Sequence, residues 1–565
     1  MIDDGLELSN GEVLQADVCI VGAGAAGITL AVELAGSGVS VLLLESGGLK
    51  PENDTQRLYE GAVANELLHS PLHRYRERRF GGSTTIWGGR CVPLDAIDFE
   101  QRDYMPGSGW PIGPVDLQPY YPLANRLCEA GEFEYVSTAA FKRPLRPMIE
   151  GFQSEHFSTD TLERFSCPTN FGARYAQTLR DAPNVRVLLH SNVTTLVFHP
   201  NGEAVEALVV RTLAGRSFKV VANQVVLATG GLEIPRLLLS NRDTWSQGVG
   251  NEHGMVGRNY MCHIAGTLGT LKQRGAADRV YHSYDISAEG IYCRRRLALT
   301  PETQRRLRVG NFVARLHHPR ITDPEHRTAV LSALQLAKGL ISYEYGKRLH
   351  GDEQMTWRKW MGHLRNVLAR PHEVVAFGHH MLRDRFLAAR KFPSIIIKST
   401  AGHYSLDFHA EQEPSPSSRV TLAGERDALG LQRLLVDWRY TPADIATVRE
   451  AVSAFAQDIE RSGIGTFEYD PASIELEMSR YGAYGGHHLG TARMGSDPHT
   501  SVVDRNCRIH GVRNLYIAGG AVFPTSSQAN PTLTIVALSV RLAGLLAHTA
   551  RAARPEVIAA AAAEL

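Results

Sequence analysis

One stretch, Ala16 to Gly48, constrains this chain more than any other. Ala16–Val21 is almost continuously apolar, the pattern of a strand buried on both faces of a parallel sheet, and it runs directly into Gly22, Gly24 and Gly27. Ile28–Leu34 then reads as a helix, and Val39–Leu44 as a second buried strand ending at Glu45. Glycines at this spacing allow a tight turn, a close approach of backbone amides to a pyrophosphate, and packing of helix on strand; the helix N-terminus faces the anion. Glu45 can accept hydrogen bonds from ribose hydroxyls, and its charge disfavours a 2′-phosphate. Gly22, Gly24, Ala26, Gly27, Glu45 and Ser46 thus outline a dinucleotide cradle, without deciding between NAD and FAD.

At 565 residues the chain exceeds one ordinary core, so two domains are expected. With 60 Lys and Arg against 59 Asp and Glu it has no global attraction to nucleic acid, and it carries no nucleic-acid-binding signature. The seven cysteines are scattered, with no CxxC pair, which argues against iron–sulfur or structural zinc sites, and no metal is expected. The N-terminus is acidic and polar, without the basic and apolar regions of a signal peptide. No apolar run is read as reaching the roughly 18–20 residues of a bilayer span. A cytoplasmic location is the expectation, with export beside a signal-bearing partner as the alternative.

Between Tyr75 and Cys91 lies a glycine-dense loop, YRERRFGGSTTIWGGRC, in which Gly81, Gly82, Gly88 and Gly89 let backbone amides press against a ring or a phosphate. Here the order of pieces begins to resemble the glucose-methanol-choline (GMC) family of FAD oxidoreductases, which carry such a loop over the isoalloxazine. Gly109, Trp110 and Pro111, with Pro119, Tyr120 and Tyr121, are similar to the sugar-oxidising branch that includes pyranose oxidase. The resemblance implies flavin contacts from Gly81, Gly82, Ser83, Thr84, Trp87, Gly88 and Gly89. Where pyranose oxidases bond a histidine covalently to the flavin, this chain has Ile86, so noncovalent FAD is expected.

Further on, strands are expected over Asn184–Leu189, Val193–Phe198, Ala204–Thr212, Ser217–Val221 and Gln224–Gly231, followed by a helix over Ile234–Leu239. QVVLATGG resembles the second family signature, which implies cofactor contacts near Ala228 and Gly230 and an adenine contact from the backbone of Val193. Met261–Leu271, His282–Asp285, Gly290–Cys293, Ser394–Ser399, Ser405–Gln412 and Arg419–Leu422 read as an antiparallel sheet, the substrate domain of the family. A basic helical insertion occupies about 328–389; its Trp357, Trp360 and Met361 read as a core-facing stripe with Lys and Arg in water, in preference to a face for a membrane or a redox partner. Pro442–Ser462 reads as an amphipathic helix capped by Thr441.

The fold class expected is α/β: a Rossmann-like FAD-binding domain of ββα layers with a discontinuous α+β substrate domain. The segments are 1–100, 166–260 and 481–565 for the first, and 101–165 and 261–480 for the second. Near the C-terminus, GGHHLGTARMG precedes a strand over Leu515–Ala518, the glycines Gly519 and Gly520, Ala521, and an apolar helix over Thr532–Ala547. Its N-terminus can stabilise negative charge.

The family has a histidine three residues before the glycine of the GT turn, here His487, and a second catalytic His or Asn about forty residues on, here Asn530 in the passage Ala529, Asn530, Pro531, Thr532. His488 is the competing choice, separated only by register. A neutral imidazole suits the removal of a hydroxyl proton as hydride leaves the carbinol carbon, and a carboxamide can hold the oxygen without competing for the proton. The resemblance implies a sugar or glycoside substrate with oxygen, a quinone or a redox partner protein as acceptor.

Overall fold

The computed structural model describes residues 1–563 apart from 276, 320, 338–354, 395 and 484–485, with side chains to residue 550 except at 277. The first sheet has eight strands, in the order Ile2–Asp4, Val185–Leu189, Val41–Leu44, Val13–Val21, Ser217–Leu227, Val205–Arg211, Asn192–Phe198. Leu515–Ile517 is the eighth and pairs in parallel with Val225–Leu227. Val18–Val21, Val41–Leu44, Val187–Leu189 and Val225–Leu227, at the C-terminal ends of its four central parallel strands, are apolar and buried on both faces.

Two differences from the sequence reading stand out here. Ser217–Leu227 is one strand rather than two, because Val13–Val21 pairs along its length from Lys219↔Val13 to Leu227↔Val21. The acidic N-terminus also contributes an edge strand, Ile2–Asp4, parallel to Val187–Leu189. The helix after the glycine turn is Ala25–Leu34, entered through Gly24. It packs against Thr532–Ala563, whose stretch to Ala550 is long and apolar enough to cross a bilayer; 61% of that window is buried inside the protein.

The second sheet is antiparallel, in the order Gly465–Glu468, Ile264–Gln273, His403–Ala410, Phe312–His317, Tyr292–Leu299, Phe157–Phe165, Arg90–Cys91, with Asp285–Ile286 beside Tyr292–Leu299. Opposite residues in such pairs share a face. One face presents Phe312, Ala314, Leu316, Leu406 and Phe408 to a core shared with helix Pro442–Ser462. The register Glu163↔Arg294, Arg315↔Asp407 and Ala265↔His409 sets charged residues on the other.

Those buried charges hid Phe157–Phe165 and Phe312–His317 from the sequence reading, which took neither as a strand. Ser394–Ser399 is irregular where it is described, residue 395 lying outside the described residues, and of His282–Asp285 only Asp285 is paired. Arg419–Arg426 belongs to a separate three-stranded sheet with Gln432–Asp437 and Ala62–Val63.

In the insertion, helix Trp357–Ala369 buries His363 and Asn366 rather than its aromatic stripe. Both polar side chains bond Ser332 on helix Ala329–Leu336, at 3.0 and 3.1 Å. Trp357 and Trp360 are exposed, so the core-facing expectation fails there. Residues 338–354 of the insertion lie outside the described residues.

The cap of Pro442–Ser462 is as expected: Thr441 Oγ1 accepts from the Asp444 amide (3.3 Å) and the Asp444 carboxylate accepts from the Thr441 amide (2.7 Å). Thr441→Ala should cost about 1 kcal/mol, read as a lower urea midpoint at unchanged slope. An unchanged midpoint would show that the Asp444 half of the box suffices.

Candidate active site

A cavity of about 600 Å³ runs from the Gly22 turn to the charged face of the antiparallel sheet. Of the residues expected there, Gly22, Gly24, Ala26, Glu45, Ser46, Gly82, Ser83, Thr84, Trp87, Gly88, Gly89, Val193, Ala228, Gly230, Gly520, Pro531 and Thr532 border it, as do His487 and Asn530. Gly27, Gly81 and Ala521 do not. Gly27 is buried against the turn, where a Cβ would fall 1.9 Å from the Gly22 carbonyl oxygen. Gly81 is held behind the wall by a bond from its amide to the Ala23 carbonyl (2.9 Å), and the Ala521 carbonyl accepts from the Ala492 amide (2.8 Å).

The Trp110 motif is also away from the cavity: its indole packs on Phe99 and Phe523 and donates to Thr525 Oγ1 at 2.9 Å. Tyr121 likewise is buried, its hydroxyl 3.0 Å from Thr534 Oγ1.

The first strand delivers the chain to the turn, and Glu45 at the end of Val41–Leu44 braces it. One carboxylate oxygen accepts from the Ala23 amide (2.8 Å), the other from the Gly47 amide (3.0 Å) and Ser46 Oγ (3.2 Å). Gly24 has open space where a Cβ would stand, and a Cβ on Gly82 would meet Gly24 Cα at 2.9 Å. The two glycine loops therefore touch and expose bare backbone to the cavity, a surface suited to a pyrophosphate.

Around the reacting end, Asn530 Nδ2 lies 3.2 Å from His487 Nε2, and His487 Nδ1 lies 2.8 Å from His263 Nδ1. An amide nitrogen only donates, so Nε2 of a neutral His487 accepts and its Nδ1–H donates to His263. Burial lowers the His263 pKa to about 4, against the backbone of Ala529 and Ser526, which favours its protonation. At neutral pH His263 is therefore an uncharged acceptor. Its ring stands 6.1 Å from that of His409, centroid to centroid. Neither was a sequence-level candidate, because a single histidine in a strand pattern reads as core.

His488 has a different task. His69 Nδ1 donates to the Ser70 carbonyl (2.6 Å), so its Nε2 accepts from the Tyr260 hydroxyl (2.8 Å), whose oxygen then accepts from His488 Nδ1 (2.6 Å). Burial holds His69 down at about 4 and His488 below the usual imidazole range, keeping both neutral. His488 Nε2 is left as a buried acceptor at the cavity wall, with no partner among the described residues. An orphaned acceptor beside a bare glycine cradle fits a bound group that has both a phosphate and ring or hydroxyl donors, as FAD has.

Fold and cradle define a dinucleotide-binding redox protein, and the chain belongs to the FAD-dependent oxidoreductases, whose family model matches residues 17–392. Within them it is a GMC oxidoreductase, an enzyme acting on CH–OH donors, with the GMC oxidoreductase C-terminal model matching 414–539. It is 25% identical to the fructose dehydrogenase large subunit of Gluconobacter japonicus, across 94% of this chain and 98% of that one. It is 24% identical to paromamine 6′-oxidase of Streptomyces fradiae, across 94% and 91%. Pyridoxine 4-oxidase from Mesorbium loti has the same fold, with a TM-score of 0.54 at 19% identity over 94% of this chain and 99% of that one.

Proposed function

We propose that this enzyme oxidises a secondary hydroxyl of a sugar or glycoside to a ketone, with His487 as base and Asn530 holding the reacting oxygen. The observation that carries it is the meeting of these two side chains, 43 residues apart, on the wall of the glycine-lined cavity. Bound in the cradle, noncovalent FAD supplies the two-electron acceptor for the hydride that leaves the carbinol carbon.

A substrate hydroxyl replaces the direct bond between these two nitrogens: its O–H donates to His487 Nε2 and its oxygen accepts from Asn530 Nδ2. As the C–H bond breaks, His487 takes the hydroxyl proton and the carbon is left as a ketone. The new charge on His487 is shared through Nδ1–H with the neutral His263 acceptor. The start of helix Thr532–Ala563 faces the same wall and favours negative charge there. Ile86 borders the cavity and offers no nucleophile for a covalent flavin bond.

His263 is a positioning residue in this scheme. His263→Leu should slow flavin reduction about 10- to 100-fold, the equivalent of the ~1.5–3 kcal/mol of a hydrogen bond to a charged group. Anaerobic stopped-flow absorbance reads it, and a wild-type rate would remove His263 from the mechanism.

The fructose dehydrogenase relative, a large subunit by name, favours a second reading in which electrons pass to a quinone or a redox partner protein rather than to oxygen. Oxygen uptake compared with dye reduction separates the two. A panel of glycosides added anaerobically tests the function itself: a matching sugar bleaches the flavin band and yields a keto-sugar. Failure of every sugar and glycoside to bleach it would overturn the reading.

A further inference from the structure

The basic insertion carries its apolar residues on the outside. An amphipathic helix of a globular protein turns its apolar stripe to the core, and helix Trp357–Ala369 does the reverse. Its inner side is polar: His363 and Asn366 are the side chains it buries, and Asn366 Nδ2 also donates to the Pro324 carbonyl at 2.8 Å. Trp357, Met361 and Leu368 follow one another at helical spacing on the opposite side, with Trp360 beside them. Trp357 is 73% exposed and Leu368 71%.

The pattern continues through the next two elements. Helix Pro371–His380 is anchored through Phe377, which packs with Val330, Leu331 and Ile397, and it exposes Val375. On the turn Met381–Leu387, Arg385 borders the cavity while Leu382, Phe386 and Leu387 are exposed. The three elements touch one another in chain order. Of the 21 large apolar side chains exposed among the described residues, eight fall within 357–387. Single exposed apolar residues are ordinary on any surface; a concentration of this kind marks an interaction site.

The exposed charges beside these residues are positive. Arg358 and Arg365 stand on the helix next to the stripe, and Lys391 follows the turn. The two acids between 355 and 391, Glu373 and Asp384, are joined to Arg370 (3.2 Å) and Arg383 (2.8 Å). A second copy of the chain presenting the same face would set like charges against one another. A layer of anionic lipid headgroups over acyl chains meets both features at once, taking cations at its surface and aromatic and aliphatic side chains beneath it.

We propose that the insertion is a membrane-docking face, lying in the headgroup layer of an anionic bilayer with Trp357, Trp360, Phe386 and Leu387 inserted. Because the turn that carries Phe386 also borders the cavity through Arg385, docking brings the cavity next to the layer in which lipid-soluble acceptors dissolve. Docking itself depends neither on the alcohol oxidised nor on the acceptor.

The FAD-loaded enzyme is mixed with vesicles of phosphatidylcholine, with and without phosphatidylserine, and floated on a density gradient. Phosphatidylserine should raise the affinity at least about tenfold, less at high ionic strength, and tryptophan fluorescence should shift to the blue. With a formal charge of +1, the chain as a whole gives the lipid little attraction of its own. Trp357→Ser with Trp360→Ser should remove the blue shift and most of the binding, and Arg358→Glu with Arg365→Glu the preference for the anionic lipid. All four side chains are exposed or at the surface of the insertion, so FAD content should be retained. Wild-type protein that floats with neither vesicle, equal binding to both, or binding that neither pair of substitutions changes would overturn the proposal. Without vesicle binding, a dimer that the tryptophan pair dissociates would overturn it in favour of a second copy. Binding of an acidic ferredoxin that the arginine pair abolishes, again without vesicle binding, would overturn it in favour of a soluble redox protein.

Discussion

His487→Ala should reduce flavin by its sugar about 10²- to 10⁴-fold more slowly than the wild type, the range for removal of a positioned general base. His487 sits between two partners, Asn530 at Nε2 and His263 at Nδ1, so its loss removes the proton acceptor and the group that passes charge to His263. The cradle made by Gly22, Gly24 and Glu45 is a separate part of the cavity, so the variant should still purify yellow. His488 is no substitute, because burial and the nearby Arg76 charge hold it well below the usual imidazole range. Stopped-flow reduction without oxygen measures the effect; a loss of less than tenfold with full FAD content would assign the proton to another group.

Glu411→Ala should destabilise the protein by about 3–5 kcal/mol, the range for leaving one partner of a buried ion pair alone. Its carboxylate receives both Nη atoms of Arg102, at 2.7 and 2.6 Å, and the Asn311 amide at 2.9 Å, with side chains 2% and 0% exposed. Burial disfavours the Arg102 charge, and Glu411 more than offsets this, raising its pKa. Glu411 stands just past strand His403–Ala410 and Arg102 in the loop after Ala96–Phe99, so the pair ties that loop to the substrate sheet. Replacing both by apolar residues, Arg102→Met with Glu411→Leu, should recover most of the loss, because no charge is left buried. Urea unfolding reads both variants; a single-variant cost under 1 kcal/mol would mean that water reaches Arg102.

The cradle was legible because its demands are local. A turn at Gly22 with φ of 104°, a helix three residues on and an acid at the next strand end can each be recognised within one βαβ unit. The choice of His487 over His488 rested on the register of the GT turn alone; in the structure His487 meets Asn530 and His488 bonds Tyr260. His263 was not legible, because it meets His487 only through folding, from the entry to strand Ile264–Gln273, 224 residues away in the chain. Buried Glu163, Arg294 and Arg315 break the alternation by which strands are recognised, so the wall that carries the charge was also the hardest part of the sheet to read.

The most direct measurement is the rate of anaerobic flavin reduction with a sugar deuterated at the carbon that becomes the ketone, in the wild type and in His487→Ala. Hydride loss from that carbon, coupled to proton loss to His487, predicts slower reduction of the wild type by the deuterated sugar and a fall of at least 10² in the variant. Reduction insensitive to deuterium and equally fast in both proteins would contradict it.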